Sequence, residues 1–418
     1  MEEKINPDKA ILAGLDAAVF SREETATEST LEELKALLET AGGTAVGMLL
    51  QARPAPDPHS FLGEGKVEEL RQAVEATGAN MVIFDNDLSP SQIRTLEDMT
   101  GATVIDRSAL ILDIFAQRAK TREGRLQVEL AQYQYLLPRL SGMGRSLSRQ
   151  GGGIGTRGPG ETRLESDRRH IRTRISRLQQ ELKEVRRVRG VQRQLREKNS
   201  VPVVALIGYT NAGKSTLLNA LTGAGIPANN RLFDTLDTTT RRLTVSDTLD
   251  VLLSDTVGFI AKLPHNLVEA FQATLEELQY ADLLLHVIDA SDPDREAHME
   301  VVEKLAAELA PQGVPIIEVY NKADLVEPQL IPIGENRIAI SASEGRGLDA
   351  LLRRMEKNLD TGVKRVVLKL PYSAAGEVDR IHREGKVFSS EYENDGILVD
   401  AALSREMQGR YRAYIQSE

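Results

Sequence analysis

Apolar positions in the first 118 residues switch repeatedly between helical spacing and short continuous runs. Four leucines between positions 31 and 38 recur at helical intervals, which predicts a helix. Further helices are predicted over 66–76 and 108–118, and strands over 45–50, 81–84 and 102–105. Ser89 and Pro90 are typical of an N-cap and a first helical position. This alternation predicts a small α/β domain with a mostly parallel sheet.

Two later stretches carry apolar residues at alternating intervals of four and three, the seam spacing of paired helices. The first contains Leu126, Leu130, Tyr133, Leu137 and Leu140, and the second contains Ile171, Ile175, Leu178, Leu182 and Val185. Between them, residues 141–160 include eight glycines and have no apolar core of their own. The pattern predicts an antiparallel helical hairpin whose tip is a flexible loop bearing Arg145, Arg149 and Arg157.

A continuous apolar run at Val203–Ile207 is typical of a strand that a parallel sheet buries on both faces. Similar runs at 252–253, 283–288 and 316–319, with helical stretches between them, predict a doubly wound α/β domain. Short alternating stretches near the C-terminus, at 366–370 and 386–392, favour a small α+β domain without evident chemistry. We therefore expect four units, over 1–120, 121–199, 200–360 and 361–418.

Composition restricts the classes of site that the chain can build. It has 418 residues and no Cys, which excludes disulfides, thiolate metal sites and thiol nucleophiles and fits a reducing compartment. The first ten residues are charged, and no run reaches the roughly 18 apolar residues that a membrane span needs. We expect a cytoplasmic protein without a membrane span, and peripheral membrane association stays open.

Charge is distributed unevenly along the chain. The net charge is −10, yet residues 139–198 hold 17 Lys or Arg against six Asp or Glu, a local excess of +11. A solvated charged helix is the ordinary reading of such a run, and a polyanion-binding surface is the functional one.

The sequence from Gly208 to Ser215 fits the phosphate-binding pattern G-x-x-x-x-G-K-[ST], with a predicted strand before it and a predicted helix after it. In this context backbone N–H groups and the helix N-terminus face phosphate oxygens. Lys214 would bridge the β- and γ-phosphates, and the Ser215 hydroxyl would ligate Mg²⁺. The expected phosphate-loop contacts are Gly208, Tyr209, Thr210, Asn211, Ala212, Gly213, Lys214, Ser215 and Thr216.

A D-x-x-G pattern ends the next predicted apolar strand. It comprises Asp255, Thr256, Val257 and Gly258 and lies about 40 residues after the phosphate loop. The aspartate would hold Mg²⁺ through water, and the N–H of Gly258 would meet the γ-phosphate.

An N-K-x-D pattern, Asn321, Lys322, Ala323 and Asp324, indicates which base is bound. A carboxylate can accept hydrogen bonds from N1–H and the N2 amine of guanine, whereas adenine would leave Asp324 unpaired. Asn321 would brace the phosphate loop, and the Lys322 stem would cover the ring. Ser341, Ala342 and Ser343 would offer a backbone N–H to the guanine oxygen. Together the patterns predict GTP or GDP as the ligand.

The four motifs resemble those of the translation-factor-related class of GTPases. Phe233, Asp234, Thr235, Leu236 and Asp237 lie where that class has its first switch, and a threonine there ligates Mg²⁺. Candidates for this ligand are Thr235, which we favour at 20 residues after Ser215, then Thr239, with Thr238 and Thr240 left open. The expected catalytic groups are Lys214, Thr235 and Gly258, and the expected metal ligands are Ser215 and Thr235.

The residue after Gly258 is Phe259, where Ras-like enzymes have the glutamine that orients the attacking water. A phenyl ring cannot orient water, so we expect slow intrinsic hydrolysis that a partner or another residue accelerates.

Three further segments narrow the resemblance to one family. The tip signature Gly151-Gly-Gly-Ile-Gly-Thr-Arg-Gly-Pro-Gly160-Glu-Thr-Arg-Leu-Glu165 and the run Asp167-Arg-Arg-His-Ile171 closely resemble the HflX family, as does 63–70 in the first domain. The first-switch run departs from that family only at Thr238, where proline is common. The resemblance implies a GTPase that binds the large ribosomal subunit and stalled 70S ribosomes and separates the subunits. It also implies rRNA contacts through the basic hairpin, including Arg145, Arg149 and Arg157.

Other readings stay open at this point. A GTP-dependent regulatory switch could bind a protein partner through the hairpin, although its arginine-rich faces favour RNA phosphates. An ATPase is disfavoured by Asp324. A second nucleotide site at Gly63–Lys66 has too short a motif to support it. Asp85 is more typical of a helix cap than of a site, and His286 is more typical of a core residue than of a metal ligand. A monomer is expected by default.

Overall fold

The computed structural model describes residues 8–21, 24–147, 159–197, 201–223, 225, 232–233, 239–262, 278–359 and 362–416, with backbone alone for 141–147, 159–164, 186 and 188–197. Within these residues the chain forms three sheets and a pair of long helices. No helix among them is long and apolar enough to cross a membrane.

The N-terminal sheet is wholly parallel and has the strand order β2-β1-β3-β4. Its strands are β1 (Lys9–Ala17), β2 (Thr44–Arg53), β3 (Met81–Phe84) and β4 (Thr103–Asp106), and its helices are α1 (Glu28–Ala41), α2 (Glu64–Thr77), α3 (Pro90–Thr100) and α4 (Arg107–Arg118). Three predicted strands and three predicted helices are confirmed. The hydroxyl of Ser89 accepts a hydrogen bond from the N–H of Gln92, which confirms the predicted N-cap of α3.

Strand β1 was not expected from the apolar pattern, although it lies between β2 and β3 in the sheet. It contains small residues because neighbouring segments pack closely on it: a Cβ at Gly14 would lie 2.6 Å from the Cβ of Ala26. Alanine and glycine are weak strand formers, so the strand is defined by its packing rather than by local propensity.

Two long helices follow, α5 (Arg122–Leu147) and α6 (Pro159–Glu197). The predicted seam is confirmed in part, because Leu126, Leu130, Leu178 and Leu182 form one buried cluster between the helices, whereas Leu137, Leu140 and Ile171 do not belong to it. An ion pair of 2.6 Å joins Arg174 on α6 to Glu129 on α5. The cluster joins residues 126–133 of α5 to residues 175–185 of α6, two stretches at similar distances in sequence from the link between the helices, as an antiparallel pair requires.

The predicted tip loop, 141–160, is too long at both ends. Helix α5 continues to Leu147 and therefore includes Arg145, while α6 begins at Pro159. Gly142 and Gly144 are accommodated because an interior glycine costs a helix only about 1 kcal/mol relative to alanine. Arg149 and Arg157 lie outside the described residues.

The central sheet has the strand order β10-β9-β8-β5-β7-β6, with β6 the one antiparallel strand in the order. Its strands are β5 (Val203–Ile207), β6 (Thr239–Thr244), β7 (Asp250–Asp255), β8 (Leu283–Asp289), β9 (Ile316–Asn321) and β10 (Arg337–Ala339), and its described helices are α7 (Lys214–Thr222), α8 (Arg295–Leu309) and α9 (Leu348–Asn358). The first strand, β5, lies in the middle with β7 on one side and β8 on the other. The carboxyl end of a central strand where the strand order reverses is the usual ligand site of such a sheet.

The C-terminal sheet is antiparallel, with the order β11-β13-β12. Its elements are β11 (Lys364–Leu370), α10 (Gly376–Glu384), β12 (Lys386–Glu393), β13 (Gly396–Leu403) and α11 (Arg405–Arg410). Asp247, in the turn between β6 and β7, pairs with Arg365 at 3.1 Å and accepts a hydrogen bond from Lys386 through its backbone oxygen at 2.8 Å. The predicted α+β class is confirmed, and these contacts fasten this sheet to the edge of the central one.

One apolar core runs from the N-terminal sheet into the central sheet. It includes Leu34 and Phe115 from the first and Ile207, Phe259 and Leu284 from the second. The two sheets therefore share buried surface next to the phosphate loop, which brings N-terminal side chains close to the candidate site.

Candidate nucleotide site

The phosphate loop connects β5 to α7 and depends on two glycines. Gly208 has a φ of +155°, and a Cβ there would overlap the carbonyl oxygen of Val287 on β8. Gly213 has a φ of +95°, and a Cβ there would overlap the side-chain nitrogen of Asn321. Only glycine fits both the backbone conformation and the space at these positions. The loop therefore curls tightly against the carboxyl ends of the neighbouring strands.

Lys214 is the first residue of α7 and is buried at 6% exposure. Its ammonium group donates hydrogen bonds of 2.9 Å to the carbonyl oxygens of Gly208 and Tyr209. Burial lowers the pKa of Lys214 to about 8, and the nearby carboxylate of Asp255 opposes that shift. The lysine is held against the loop by these two bonds, and an anion there would stabilise its charged form.

Ser215 and Asp255 lie side by side at the phosphate end of the site. The Ser215 hydroxyl donates a 2.8 Å hydrogen bond to the Asp255 carboxylate. Asp255 ends β7, and the hydroxyl of the next residue, Thr256, donates to the carbonyl of Leu206 on β5 at 2.6 Å. This bond fixes the start of the D-x-x-G segment, which includes Val257 and Gly258, against the strand that leads into the phosphate loop.

Asn321 joins the two ends of the site. Its side-chain N–H group donates to the carbonyl of Ala212 at 2.9 Å, and its side-chain oxygen accepts from the N–H of Ala342 at 3.0 Å. The residue therefore braces the phosphate loop, as predicted, and it also holds the Ser341–Ser343 loop. Both polar ends of this buried amide are satisfied, which fixes its orientation.

The other residues of the expected base-binding end occupy neighbouring positions. Lys322 has a φ of +59°, and its ammonium group pairs with Asp289 at the end of β8 at 2.6 Å. Asp324 is exposed, and a hydrogen bond from the Ser341 side chain lowers the pKa of its carboxyl. The hydroxyls of Ser341 and Ser343 are 3.3 Å apart. An exposed carboxylate can accept hydrogen bonds from two adjacent donors of a base, and a backbone N–H of the neighbouring loop can donate to an acceptor of the same base.

The first-switch segment is described only in part. Phe233 is buried at 2% exposure, and its ring meets Phe115 of α4 edge to face with centroids 4.6 Å apart. Its side chain therefore belongs to the core that joins the two sheets. Thr239 and Thr240 begin β6, and the Thr240 hydroxyl lies 3.3 Å from that of Ser254. Asp234, Thr235, Leu236, Asp237 and Thr238 lie outside the described residues.

Phe259 is a core residue. Its exposure is 2%, and it packs in the same cluster as Tyr209, Val257 and Ile260. Its backbone pairs with the phosphate loop, since its N–H donates to Gly208 at 3.2 Å and its carbonyl accepts from Thr210 at 2.7 Å. The residue ties the D-x-x-G segment to the loop and turns its ring away from solvent.

Tyr209 makes contacts that the motif does not predict. Its hydroxyl donates to Glu33 of α1 at 2.5 Å and accepts from the N–H of Ala261 at 2.7 Å. Its ring stacks on His298 of α8, with centroids 3.7 Å apart and 12° between the planes. The phosphate loop is thus connected to the N-terminal sheet by a side chain that the motif leaves variable.

A group of buried charged side chains lies next to the contact between Tyr209 and Glu33. Arg107, at 1% exposure, pairs with Asp85 at 2.8 Å and also with Glu33. The other oxygen of Asp85 pairs with Lys262, four residues after Gly258. The expectation that Asp85 is a helix cap is therefore wrong, because Ser89 caps α3 while Asp85 neutralises two cations. His286, in contrast, is a core residue as predicted, and burial lowers its pKa to about 4.

Comparison with known proteins supports the same reading. Family models match three successive parts of the chain: the N-terminal region of GTP-binding GTPases over 28–116, their middle region over 118–196, and a 50S ribosome-binding GTPase over 203–322. GTPase HflX of Caldanaerobacter subterraneus subsp. tengcongensis is 50% identical over 411 residues, covering 98% of this chain and 94% of that protein. The chain belongs to the HflX family of GTPases.

Other HflX proteins agree over most of their length. GTPase HflX of Lacrimispora saccharolytica is 47% identical over 395 residues, covering 93% of each chain. GTPase HflX of Escherichia coli is 46% identical over 372 residues, covering 88% of this chain and 87% of that one. As a member of the HflX family, the protein binds guanine nucleotides and hydrolyses GTP, and the predicted P-loop GTPase fold is confirmed.

Proposed function

We propose that this GTPase binds the large ribosomal subunit and 70S ribosomes and promotes the separation of the subunits in a GTP-dependent manner. The observation that carries the proposal is the match of residues 203–322 to a 50S ribosome-binding GTPase. It is joined by the strongly basic segment 139–198, most of which forms the two long helices. RNA phosphates are the ligand that such a surface binds most generally.

For the nucleotide we propose the contacts of a P-loop site. Lys214 and the N–H groups of 208–216 would hold the phosphates, and Gly258 would meet the γ-phosphate. Asp324 would read the guanine edge, while Asn321 holds the phosphate loop and the 341–343 loop at the correct separation. The brace formed by Asn321 supports this arrangement, since both loops must bind one ligand at once.

We propose Mg²⁺ as the cofactor, with Ser215 and Thr235 as its protein ligands. The pair of oxygen groups at Ser215 and Asp255, 2.8 Å apart, fits a hard cation that prefers oxygen donors. Few protein ligands are needed, because Mg²⁺ in such sites keeps water and phosphate oxygens as its other partners. When bound, the ion neutralises charge on the phosphates.

Hydrolysis by the protein alone would be slow. Phe259 occupies the position of the water-orienting glutamine of Ras-like enzymes, and its ring is packed in the core. A slow basal rate suits a switch whose GTP form must persist until a partner is engaged.

The remaining assignments complete the proposal. Arg145, near the end of α5, and Arg149 and Arg157, which lie between α5 and α6 in the sequence, would contact rRNA by charge and shape rather than by base sequence. The protein would act as a monomer in the cytoplasm, where its ribosome partner is found, with the four units bounded as the sequence predicts.

The decisive experiment measures GTP turnover with and without purified large subunits, at low and high salt. We expect a low basal rate that subunits raise many-fold and that salt reduces, since phosphate contacts weaken as salt rises. Sedimentation of 70S ribosomes should then show more free subunits with GTP than with GDP, and none of this increase with Lys214→Ala. Turnover that ignores the subunits would contradict ribosome binding and would favour a protein partner for the helical pair.

A further inference from the structure

Thr210, in the phosphate loop, lies beside Gly258 and Lys214, the two groups proposed above for the γ-phosphate. We propose that its hydroxyl hydrogen-bonds the γ-phosphoryl group while that group passes to water. The water oxygen bonds to phosphorus, the bond from phosphorus to the β,γ-bridging oxygen breaks with its electron pair leaving on GDP, one water proton passes to an oxygen of the γ-phosphoryl group, and Thr210 is unchanged. This role presupposes the nucleotide site proposed above and adds to it a residue for the chemical step.

The hydroxyl of Thr210 is available for such a contact. The residue is buried at 7% exposure, and its Oγ1 has no hydrogen-bond partner within the described part of the chain. Buried hydroxyl groups in proteins nearly always have a partner, so an exception calls for an explanation. Other buried threonines here follow that rule: Thr100 donates to Leu96 and Thr256 donates to Leu206. A ligand that fills the loop would supply the partner that Thr210 lacks.

Its neighbours are the groups proposed for the γ-phosphate. A Cβ built on Gly258 would lie 2.9 Å from Cγ2 of Thr210 and 3.1 Å from Nζ of Lys214. Thr210, Gly258 and Lys214 therefore surround one small volume. The Thr210 N–H also donates to the carbonyl of Phe259 at 2.7 Å, which holds the threonine against the D-x-x-G segment.

Phe259 does not compete for that volume, because its ring is buried in the apolar core. A hydroxyl can donate to a phosphate oxygen, whereas a phenyl ring cannot. A donor placed where charge develops in the transition state contributes to the rate rather than to ground-state binding.

A valine tests the hydroxyl without changing the shape of the side chain. We expect Thr210→Val to lower kcat about ten- to a hundredfold, in the range for loss of one transition-state donor. Its Kd for GDP, which has no γ-phosphoryl group, should stay within about twofold of wild type. Thr210→Ser keeps the hydroxyl and should restore most of kcat. Thr210→Ala, which cannot overpack the loop, should behave like the valine variant.

Thr100→Val is the matched control, since it removes a buried threonine hydroxyl far from the phosphate loop and should leave kcat unchanged. The role is overturned if Thr210→Val keeps the wild-type kcat, if Thr210→Ser is as slow as Thr210→Val, or if GDP affinity falls in parallel with the rate. If the wild-type protein binds GDP but Lys214→Ala binds it equally well, the nucleotide site itself is wrong, which is a separate failure.

Discussion

Lys214 shows how the protein prepares for a phosphate at the scale of one residue. Its ammonium group is buried against two backbone carbonyls, and this burial depresses its pKa to about 8. A polyphosphate would favour the charged form and raise the pKa again. The complex therefore binds protons more tightly than the free protein does near pH 8.

The consequence is a pH-dependent affinity for GDP. Because the free pKa is about 8 and the bound pKa is higher, affinity should be constant well below pH 8 and should weaken above it, approaching tenfold per pH unit. Equilibrium Kd measurements between about pH 7 and pH 9 would show this. Lys214→Arg should bind with a flat profile, since a guanidinium keeps its proton throughout. A flat wild-type profile would contradict the assignment.

The sequence predicts the positions of some residues of the site but not of others. The motif residues Lys214, Ser215, Asp255 and Asn321 lie together because each follows a strand whose carboxyl end meets the same edge of the sheet. The contacts of Tyr209 and Asp85 could not be predicted, since their partners are more than 20 residues away and belong to no shared motif. Thr235 stays a prediction.

At the scale of elements, apolar runs predict most strands of the central sheet but not every strand of the molecule. Strand β5 is evident from the sequence because it is buried on both faces, whereas β6 carries Thr and Arg at the sheet edge and has no apolar run. Strand β13 also escaped notice, although it is the centre of the C-terminal sheet. Position within a sheet is decided by distant partners, which local patterns do not contain.

The junction between elements α4, β3 and the segment after Gly258 depends on Arg107. We expect Arg107→Met to lower the free energy of unfolding by about 3 to 5 kcal/mol, because it leaves the buried carboxylates short of one cation. Urea unfolding followed by circular dichroism would measure it.

Arg71→Met is the control for this prediction. Arg71 pairs with Glu68 and Glu75 on an exposed helix face, so its loss should lower the free energy of unfolding far less than the loss of Arg107 does. Equal losses of unfolding free energy for the two variants would show that the buried ion pairs of Arg107 contribute no more to stability than the exposed ion pairs of Arg71.

At the scale of the whole molecule, the basic charge is concentrated on α6, but its arginines are not equivalent. Arg169 and Arg172 are exposed and have no carboxylate partner within the described residues. Arg177 and Arg187 pair with Glu181 at 3.0 Å and with Glu184 at 2.8 Å. The first pair is therefore better able to bind RNA phosphates.

We expect the double change Arg169→Gln and Arg172→Gln to weaken binding to large subunits and to reduce the salt slope of log K by about 2, one for each lost phosphate contact. Filter binding at several salt concentrations would measure both quantities. The double change Arg177→Gln and Arg187→Gln should have the smaller effect, since those charges are already neutralised. The opposite ranking would place the RNA contact on another face of the helix.

The N-terminal domain contacts the candidate nucleotide site at three points, at Tyr209 in the phosphate loop, at Phe233 in the predicted first switch and at Lys262 after Gly258. Because these contacts join the two parts of the protein, binding of a partner to one part and binding of nucleotide to the other affect each other reciprocally. If GTP changes the affinity of the N-terminal half for a partner by some factor, that partner must change the affinity for GTP by the same factor. A ribosome that binds the N-terminal domain more tightly when GTP is bound would therefore make the protein retain GTP more tightly, without any contact to the nucleotide.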